Sequence, residues 1–128
     1  MKIEFSNGDI VDRYTILCIK KERISDIEKL KNIQREHDVL EKALDELNIS
    51  KEEELCIKLK TVNEKLWEIE DKIRIKEKQR EFDNDFVQLA RSVYFTNDER
   101  AFLKREINIL TKSLLMEEKE YQNYKHME

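Results

Sequence analysis

The stretch from residue 26 to residue 80 decides the fold: DIEKLKNIQREHDVLEKALDEL fills 26–47 and KEEELCIKLKTVNEKLWEIEDKIRIKEKQR fills 51–80. In each half a stripe of mainly apolar residues recurs at alternating intervals of three and four. The stripes are Leu30, Ile33, His37, Leu40, Leu44 and Leu47, followed by Leu55, Leu59, Val62, Leu66, Ile69 and Ile73. This heptad spacing is typical of helices that bury a narrow seam against each other. Joined by a short link, the two segments predict a long antiparallel coiled-coil hairpin.

The segments on either side are also predicted to be helical. Five residues each precede an apolar run and can cap a helix, because their side chains can accept hydrogen bonds from its first backbone amides. They are Ser6, Ser25, Ser50, Asp83 and Thr96. The segment 84–95 is apolar nearly all round, so we expect it to be largely buried. The five expected helices run over about 7–24, 26–47, 51–80, 84–95 and 97–124.

The composition favours an all-α fold. Charged residues make up 42% of the 128 residues and hydrophobic residues 39%, which suits helices with one buried and one solvated face. The chain has no proline and one glycine, Gly8, whereas sheets with tight hairpins usually need both residues at their turns. We therefore predict a helical bundle that forms a single domain over residues 1–128.

The charge and the apolar runs exclude several classes of protein. A net charge of −4, from 25 basic and 29 acidic residues, gives no general attraction to nucleic acid or to an acidic membrane. No apolar run approaches the ~20 residues that a membrane-spanning helix needs, and the first residues do not resemble a signal peptide. We expect a soluble cytoplasmic protein, in which Cys18 and Cys56 act as small apolar residues in a reducing compartment.

Apolar residues outside the two stripes indicate a partner surface. A long helical hairpin leaves such positions uncovered, and exposed apolar stripes usually mark an interface. We therefore expect a homo-oligomer, most simply a two-fold homodimer, which could also bind another protein. The residues concerned are Ile57, Trp67, Ile75, Phe102, Ile109 and Met116.

His37 occupies a core position of the first stripe, where we expect it to face Val62 and Asn63 across the hairpin. A buried polar pair at such a position can fix the register of two helices. The alternative is a metal ligand or a general base. Metal sites generally need three or four ligands, and the chain has two histidines and two cysteines, so we expect no metal and no cofactor.

A set of mostly basic residues on the first helix and the last two could line a pocket for a carboxylate or a phosphate, if these helices meet. The alternative is a structural set of salt bridges to Asp12, Asp71, Asp98 or Glu70. No phosphate-binding glycine loop, HExxH or CxxC motif identifies a catalytic residue. The candidate ligand-binding residues are Arg13, Lys20, Arg23, Arg91, Arg100, Arg105 and Asn108.

Several stretches together resemble an uncharacterised family of small all-helical proteins from bacteria and their viruses, classed as a domain of unknown function. The most specific stretches are LARSVY at 89–94, TNDERA at 96–101 and KREIN at 104–108, together with SNGDIVDRYTIL at 6–17 and VNEKLWEIEDKIR at 62–74. The resemblance covers almost the whole chain and implies one intact domain. It implies no activity, substrate or catalytic residue.

Two hypotheses for function follow. The first is a non-enzymatic helical module for interaction and oligomerisation. The alternative is a protein or enzyme that binds a small anion in an arginine-lined pocket between helices. A ligand should stabilise a pocket protein, whereas a partner should stabilise an interaction module.

Overall fold

The protein is built from four helices, described over residues 1–118 in a computed structural model. They are α1 (Asn7–Arg23), α2 (Ile27–Glu46), α3 (Glu54–Gln79) and α4 (Asn84–Leu110). No strand occurs in residues 1–118, so the all-α prediction is confirmed. None of the four helices has the length and apolar character that a membrane crossing needs.

Two of the four helices, α1 and α4, begin at the predicted caps. The Ser6 hydroxyl accepts a hydrogen bond from the Asp9 backbone N–H (3.2 Å), and the Asp83 carboxylate accepts one from that of Phe86 (2.9 Å). The predicted caps of the other two helices are wrong: Asp26 caps α2 through the Lys29 N–H (3.0 Å) in place of Ser25, and Glu53 caps α3 in place of Ser50. α3 begins three residues later than predicted, because residues 51–53 form a turn before the helix.

α1 is the central helix and packs against the other three. α2 runs antiparallel to α1, and α3 and α4 form a second antiparallel pair that packs against α1. The predicted coiled coil between α2 and α3 is not confirmed, because these two helices do not run alongside each other. The apolar stripes are present, but α1 and α4 cover much of them. A heptad stripe specifies which face of a helix is buried and leaves open which neighbour covers it.

His37 and Asn63 therefore have different neighbours from those predicted. The His37 ring lies against Tyr14 of α1, with ring centroids 5.1 Å apart. Asn63 donates hydrogen bonds to Asp12 and Thr15 of α1, both at 2.9 Å. The expectation that His37 faces Val62 and Asn63 is wrong. It assumed that α2 and α3 pack against each other, whereas each of them packs against α1.

The main core lies where α1, the ends of α2 and α3, and α4 meet. Its buried members come from all four helices and from the α2–α3 link, which contributes Ile49. Asn48 takes a left-handed backbone conformation (φ 56°) just before Ile49, so the chain turns and the Ile49 side chain packs inward. The buried residues are Val11, Leu44, Ile49, Cys56, Leu59, Val62, Leu103 and Ile107.

α4 is one continuous helix, so the predicted break at residue 96 is wrong. Thr96 is only 1% exposed and lies in the middle of α4. Thr96 and Glu99 are separated by about one helical turn, and the same spacing occurs at a cap and in the middle of a helix. α4 ends at Leu110, before the predicted end at 124, and Lys112 has a left-handed backbone (φ 55°). Residues 119–124 of that prediction lie outside the described part of the chain.

The start of α4 is exposed, contrary to the predicted burial of residues 84–95. Arg23, at the end of α1, contacts Glu68 and Trp67 of α3, and α3 continues beyond this level to Gln79. The connected ends of α3 and α4 therefore extend past α1. Val87 is 48% exposed, and Tyr94 and Phe95 are also exposed. The apolar character of residues 84–95 predicted burial, but the core does not extend to the start of α4.

Candidate functional site

A ladder of polar contacts joins the antiparallel helices α1 and α4. The Gly8 backbone N–H donates to Asn108 Oδ1 (2.6 Å), Lys104 Nζ lies 2.8 Å from Asp9 Oδ1, and Arg100 Nε donates to Asp12 Oδ1 (2.9 Å). A β-carbon built at Gly8 would lie 2.4 Å from the Lys104 carbonyl oxygen, so glycine permits this close approach. The ladder thus connects three of the stretches that carry the family resemblance, 6–17 with 96–101 and 104–108.

Asp12 is the most buried charge in this ladder, with 3% of the residue exposed. Its carboxylate accepts hydrogen bonds from Arg100 and from Asn63, and its backbone carbonyl accepts one from the Thr15 hydroxyl (2.7 Å). The hydrogen bond to Asp12 raises the pKa of Arg100 above its ordinary value. Arg100 therefore has the structural salt bridge that the sequence left as an alternative.

Lys104 is held between two carboxylates. Its Nζ lies 2.8 Å from Asp9 and 2.8 Å from Glu117, which belongs to the segment after α4. Burial alone would lower the pKa of Lys104, but the hydrogen bonds to both carboxylates raise it above its ordinary value. Burial would likewise raise the pKa of Asp9, yet Lys104 and Ser6 lower it. Both groups are therefore charged at neutral pH.

A cleft of about 830 Å³ opens beside this ladder, between α1, α2 and the second half of α4. Three of the predicted ligand-binding residues line it: Arg13, Lys20 and Arg100. We name it the basic cleft. Its charged lining is Asp9, Asp12, Arg13, Lys20, Arg35, Glu36, Arg100, Lys104 and Glu117, and its apolar lining is Phe5, Ile16, Leu17, Val39 and Leu40.

The sequence did not point to Arg35 or Asp9 as candidate site residues. Arg35 enters the cleft because α2 packs on α1, whereas the predicted pairing placed α2 against α3. Asp9 lies about one helical turn before Asp12 on α1, and Lys104 lies about one turn after Arg100 on α4, so the contact between these helices brings Asp9 to Lys104.

The other four predicted residues lie outside the basic cleft. Arg23 pairs with Glu68 (2.5 Å) and lies over the Trp67 ring, and Arg91 lies over the Phe95 ring at 5.6 Å from its centroid. Arg105 pairs with Glu118 (2.9 Å). The fourth, buried Asn108, accepts the Gly8 hydrogen bond described above. The structure therefore separates the predicted set into a cleft group and four residues with other contacts.

His37 stands apart from the cleft in a small polar cluster. Its Nε2 atom lies 3.9 Å from Glu41, whose carboxylate also pairs with Lys51 (3.1 Å). The hydrogen bond between Glu41 and Lys51 lowers the pKa of the first and raises that of the second. Within residues 1–118, no group of three or more histidine, cysteine, aspartate and glutamate side chains is placed to hold a metal ion.

A second surface is apolar and lies on the outer side of α3 and α4. Phe102 is 61% exposed, Ile57 54% and Ile109 55%, and Phe95 lies on the same side. Ile57, Phe95 and Phe102 line a groove of about 710 Å³ between the two helices. We name Ile57, Phe95, Phe102 and Ile109 the apolar face. Of the residues predicted to be uncovered, Ile75 and Met116 are also exposed, whereas Trp67 is half-buried.

Comparison with known protein families gives a match over almost the whole chain. The model of a family described as a family of unknown function, DUF6165, matches residues 1–126. No curated protein and no solved structure matches the chain.

Proposed function

The chain belongs to DUF6165, a family of unknown function, and we propose that it is a non-enzymatic interaction module that works as a homodimer. The observation that carries this proposal is the exposure of Phe102 at the centre of the apolar face. Isolated apolar residues are common on protein surfaces, but a contiguous patch beside a groove usually marks an interface. A second copy of the chain is the occupant that we propose.

The spacing of the apolar face suits a two-fold contact. Phe95, Phe102 and Ile109 recur every seven residues and so share one side of α4. If two copies of α4 meet antiparallel at Phe102, each Phe102 contacts its counterpart, and Phe95 lies level with Ile109 of the partner subunit. Such an isologous contact is self-complementary, as a closed dimer requires.

The charges beside the apolar face support this arrangement. Along one edge of the α4 pair, Arg105 comes within about one residue of the level of Asp98 of the partner subunit, so opposite charges approach twice. Along the other edge Glu99 approaches Glu106 of the partner subunit. Lys65 of α3, 3.8 Å from Glu99, offsets that repulsion. In the proposed dimer, the two copies of α4 form a seam that resembles a coiled coil. This seam lies between two subunits, whereas the coiled coil predicted from the sequence lay between α2 and α3 of one chain.

Three further predictions belong to this proposal. The even mixture of charges argues against nucleic acid and membrane surfaces as partners. The unpaired cysteines Cys18 and Cys56 suit a cytoplasmic location. The exposed end of the α3–α4 pair, with Phe82 and Val87, is a place where a protein partner could bind the dimer.

A cysteine at the centre of the contact tests the dimer directly. In Phe102→Cys the two introduced thiols lie beside the two-fold axis, so mild oxidation should give a disulfide-linked dimer at low micromolar protein concentration. Val39→Cys is the matched control, because Val39 is 68% exposed and lies on α2, away from the apolar face. Equal cross-linking in both variants, or none in Phe102→Cys, contradicts the proposed contact.

A charge at the same position provides an independent test. Phe102→Glu places two carboxylates against each other at the axis, so sedimentation velocity should show a dimer for the wild type and a monomer for the variant. Circular dichroism should show unchanged helix content, because Phe102 is exposed in the single chain. A wild-type chain that sediments as a monomer at all micromolar concentrations overturns the proposal.

A further inference from the structure

We propose that the basic cleft binds a small amphiphilic anion, in which a carboxylate or a phosphate is attached to an aliphatic body. The cleft lies between α1, α2 and α4, while the apolar face lies on the outer side of α3 and α4. The two surfaces share no lining residue, so this inference is independent of the proposed dimer.

Two helix faces form the walls of the cleft. Arg13, Ile16, Leu17 and Lys20 recur at helical spacing along α1, and Arg35, Val39 and Leu40 do so along α2. Tyr14 lies against His37 in the antiparallel pair, which places Arg35 at about the level of Ile16. The cationic groups therefore surround a strip of aliphatic side chains about 10 Å long, given ~1.5 Å of rise per residue.

The charges in the cleft fall into two groups. Arg100 and Lys104 are neutralised by Asp12, Asp9 and Glu117. Within residues 1–118, Arg13, Lys20 and Arg35 form no salt bridge, and the remaining carboxylate in the lining is Glu36. The whole lining has five cationic groups and four carboxylates, and its excess of positive charge lies on the side of Arg13, Lys20 and Arg35. Apolar side chains lie next to these three groups, so attraction to an anion is less screened there than in open water.

The lining also selects the body of the ligand. Apart from Phe5, whose ring is covered by Arg13 at 4.6 Å, the apolar residues are aliphatic and offer no aromatic platform for a nucleobase. The volume of about 830 Å³ lies within the range of small-molecule sites. An aliphatic chain can lie along Ile16, Leu17 and Leu40 while its anionic head reaches Arg35 or Lys20.

The test is a titration of the full chain with decanoate, followed by amide chemical shifts in NMR spectra. Saturable shifts are expected at Ile16, Leu17, Val39 and Leu40. Decyl phosphate, measured in parallel, shows which anionic head binds more tightly, and decanol measures the contribution of the chain without the charge. We expect decanol to bind at least about tenfold more weakly than the better anion, because it lacks the charge-assisted hydrogen bonds.

Charge reversal at one wall provides the matched comparison. Arg35→Glu should weaken binding of the better anion by at least about tenfold, whereas Lys42→Glu, the same charge change on an exposed part of α2, should change it less than about twofold. Circular dichroism verifies that both variants are folded. The inference is overturned by the absence of saturable shifts with either anion, by equal weakening in both variants, or by shifts confined to the apolar face.

Discussion

Arg100 of α4 holds Asp12 of α1 through two parallel hydrogen bonds, from Nε to Oδ1 at 2.9 Å and from Nη2 to Oδ2 at 2.5 Å. The Asp12 carboxylate is nearly inaccessible to water, and Asn63 of α3 donates a third hydrogen bond to it. One buried charge therefore joins three helices. This bidentate geometry is specific to a guanidinium, and a lysine at position 100 could not form both parallel hydrogen bonds.

Replacing Arg100 by methionine should destabilise the protein by about 3 kcal/mol, because the Asp12 carboxylate keeps its burial and loses its counter-ion. Urea unfolding followed by circular dichroism measures this change in the free energy of unfolding. Arg105→Met is the control: its partner Glu118 is 70% exposed, so the loss should stay below about 1 kcal/mol. Equal losses in the two variants would show that Asp12 is not held mainly by Arg100.

Gly8→Ala should destabilise the protein by about 1–3 kcal/mol, because the added methyl group would meet the Lys104 carbonyl oxygen and push α1 away from α4. The sign of the change is informative. In an ordinary helix the same substitution stabilises by up to about 1 kcal/mol. A rise in the urea midpoint of Gly8→Ala would therefore disprove the close approach of the two helices.

The ion pair between Asp9 and Lys104 predicts a specific response to acid. The pKa of Asp9 in the folded protein lies below its ordinary value of 3.8, so its stabilising contribution is complete above that value and is lost as the pH falls through the lowered pKa. Asp9→Asn should cost about 1 kcal/mol at pH 7 and progressively less below pH 3.8. Urea unfolding at pH 7, 4 and 3 measures the difference.

Asp85→Asn is the matched control for that experiment, because Asp85 also lies in the first turn of its helix and is exposed. A cost that arose only from the helix dipole would be similar at both positions. A pH-independent cost at Asp9 would contradict the charged pair with Lys104.

The sequence predicted the local structure well and the neighbours of each helix poorly. Ser6 and Asp83 cap helices as predicted, and Leu44, Leu59 and Ile69 of the two stripes are buried. These features depend on a few adjacent residues. The partner of each buried face depends on the whole chain, because α1 competes with α3 for the apolar side of α2, and apolar burial has little directional preference.

In the candidate site, too, the sequence predicted which residues share a helix face but not which helices meet. Arg13 and Lys20 lie on one face of a helix, and their shared presence in the cleft followed from helical spacing. Arg35 comes from a different helix, and its place in the cleft required the α1–α2 pairing. The apolar segment 84–95 predicted a largely buried environment around Arg91, yet Arg91 lies at the exposed end of the α3–α4 pair. When a helical segment has apolar residues on nearly every side, the sequence alone does not show whether a core or a binding partner covers them.

The two cysteines should differ in reactivity towards a thiol reagent such as Ellman's reagent at pH 8. Cys56 is 6% exposed, and burial with the nearby Glu53 raises the pKa of its thiol to about 11, so about one molecule in a thousand has a thiolate there. Cys18 is half-buried. We expect one thiol to react in the native protein and the second only after unfolding in urea.

Cys18→Ser should remove the native-state reaction and Cys56→Ser should preserve it. If Cys56 reacts as fast as Cys18 in the native protein, the core formed by the α2–α3 link and the start of α3 opens much more readily than its packing implies.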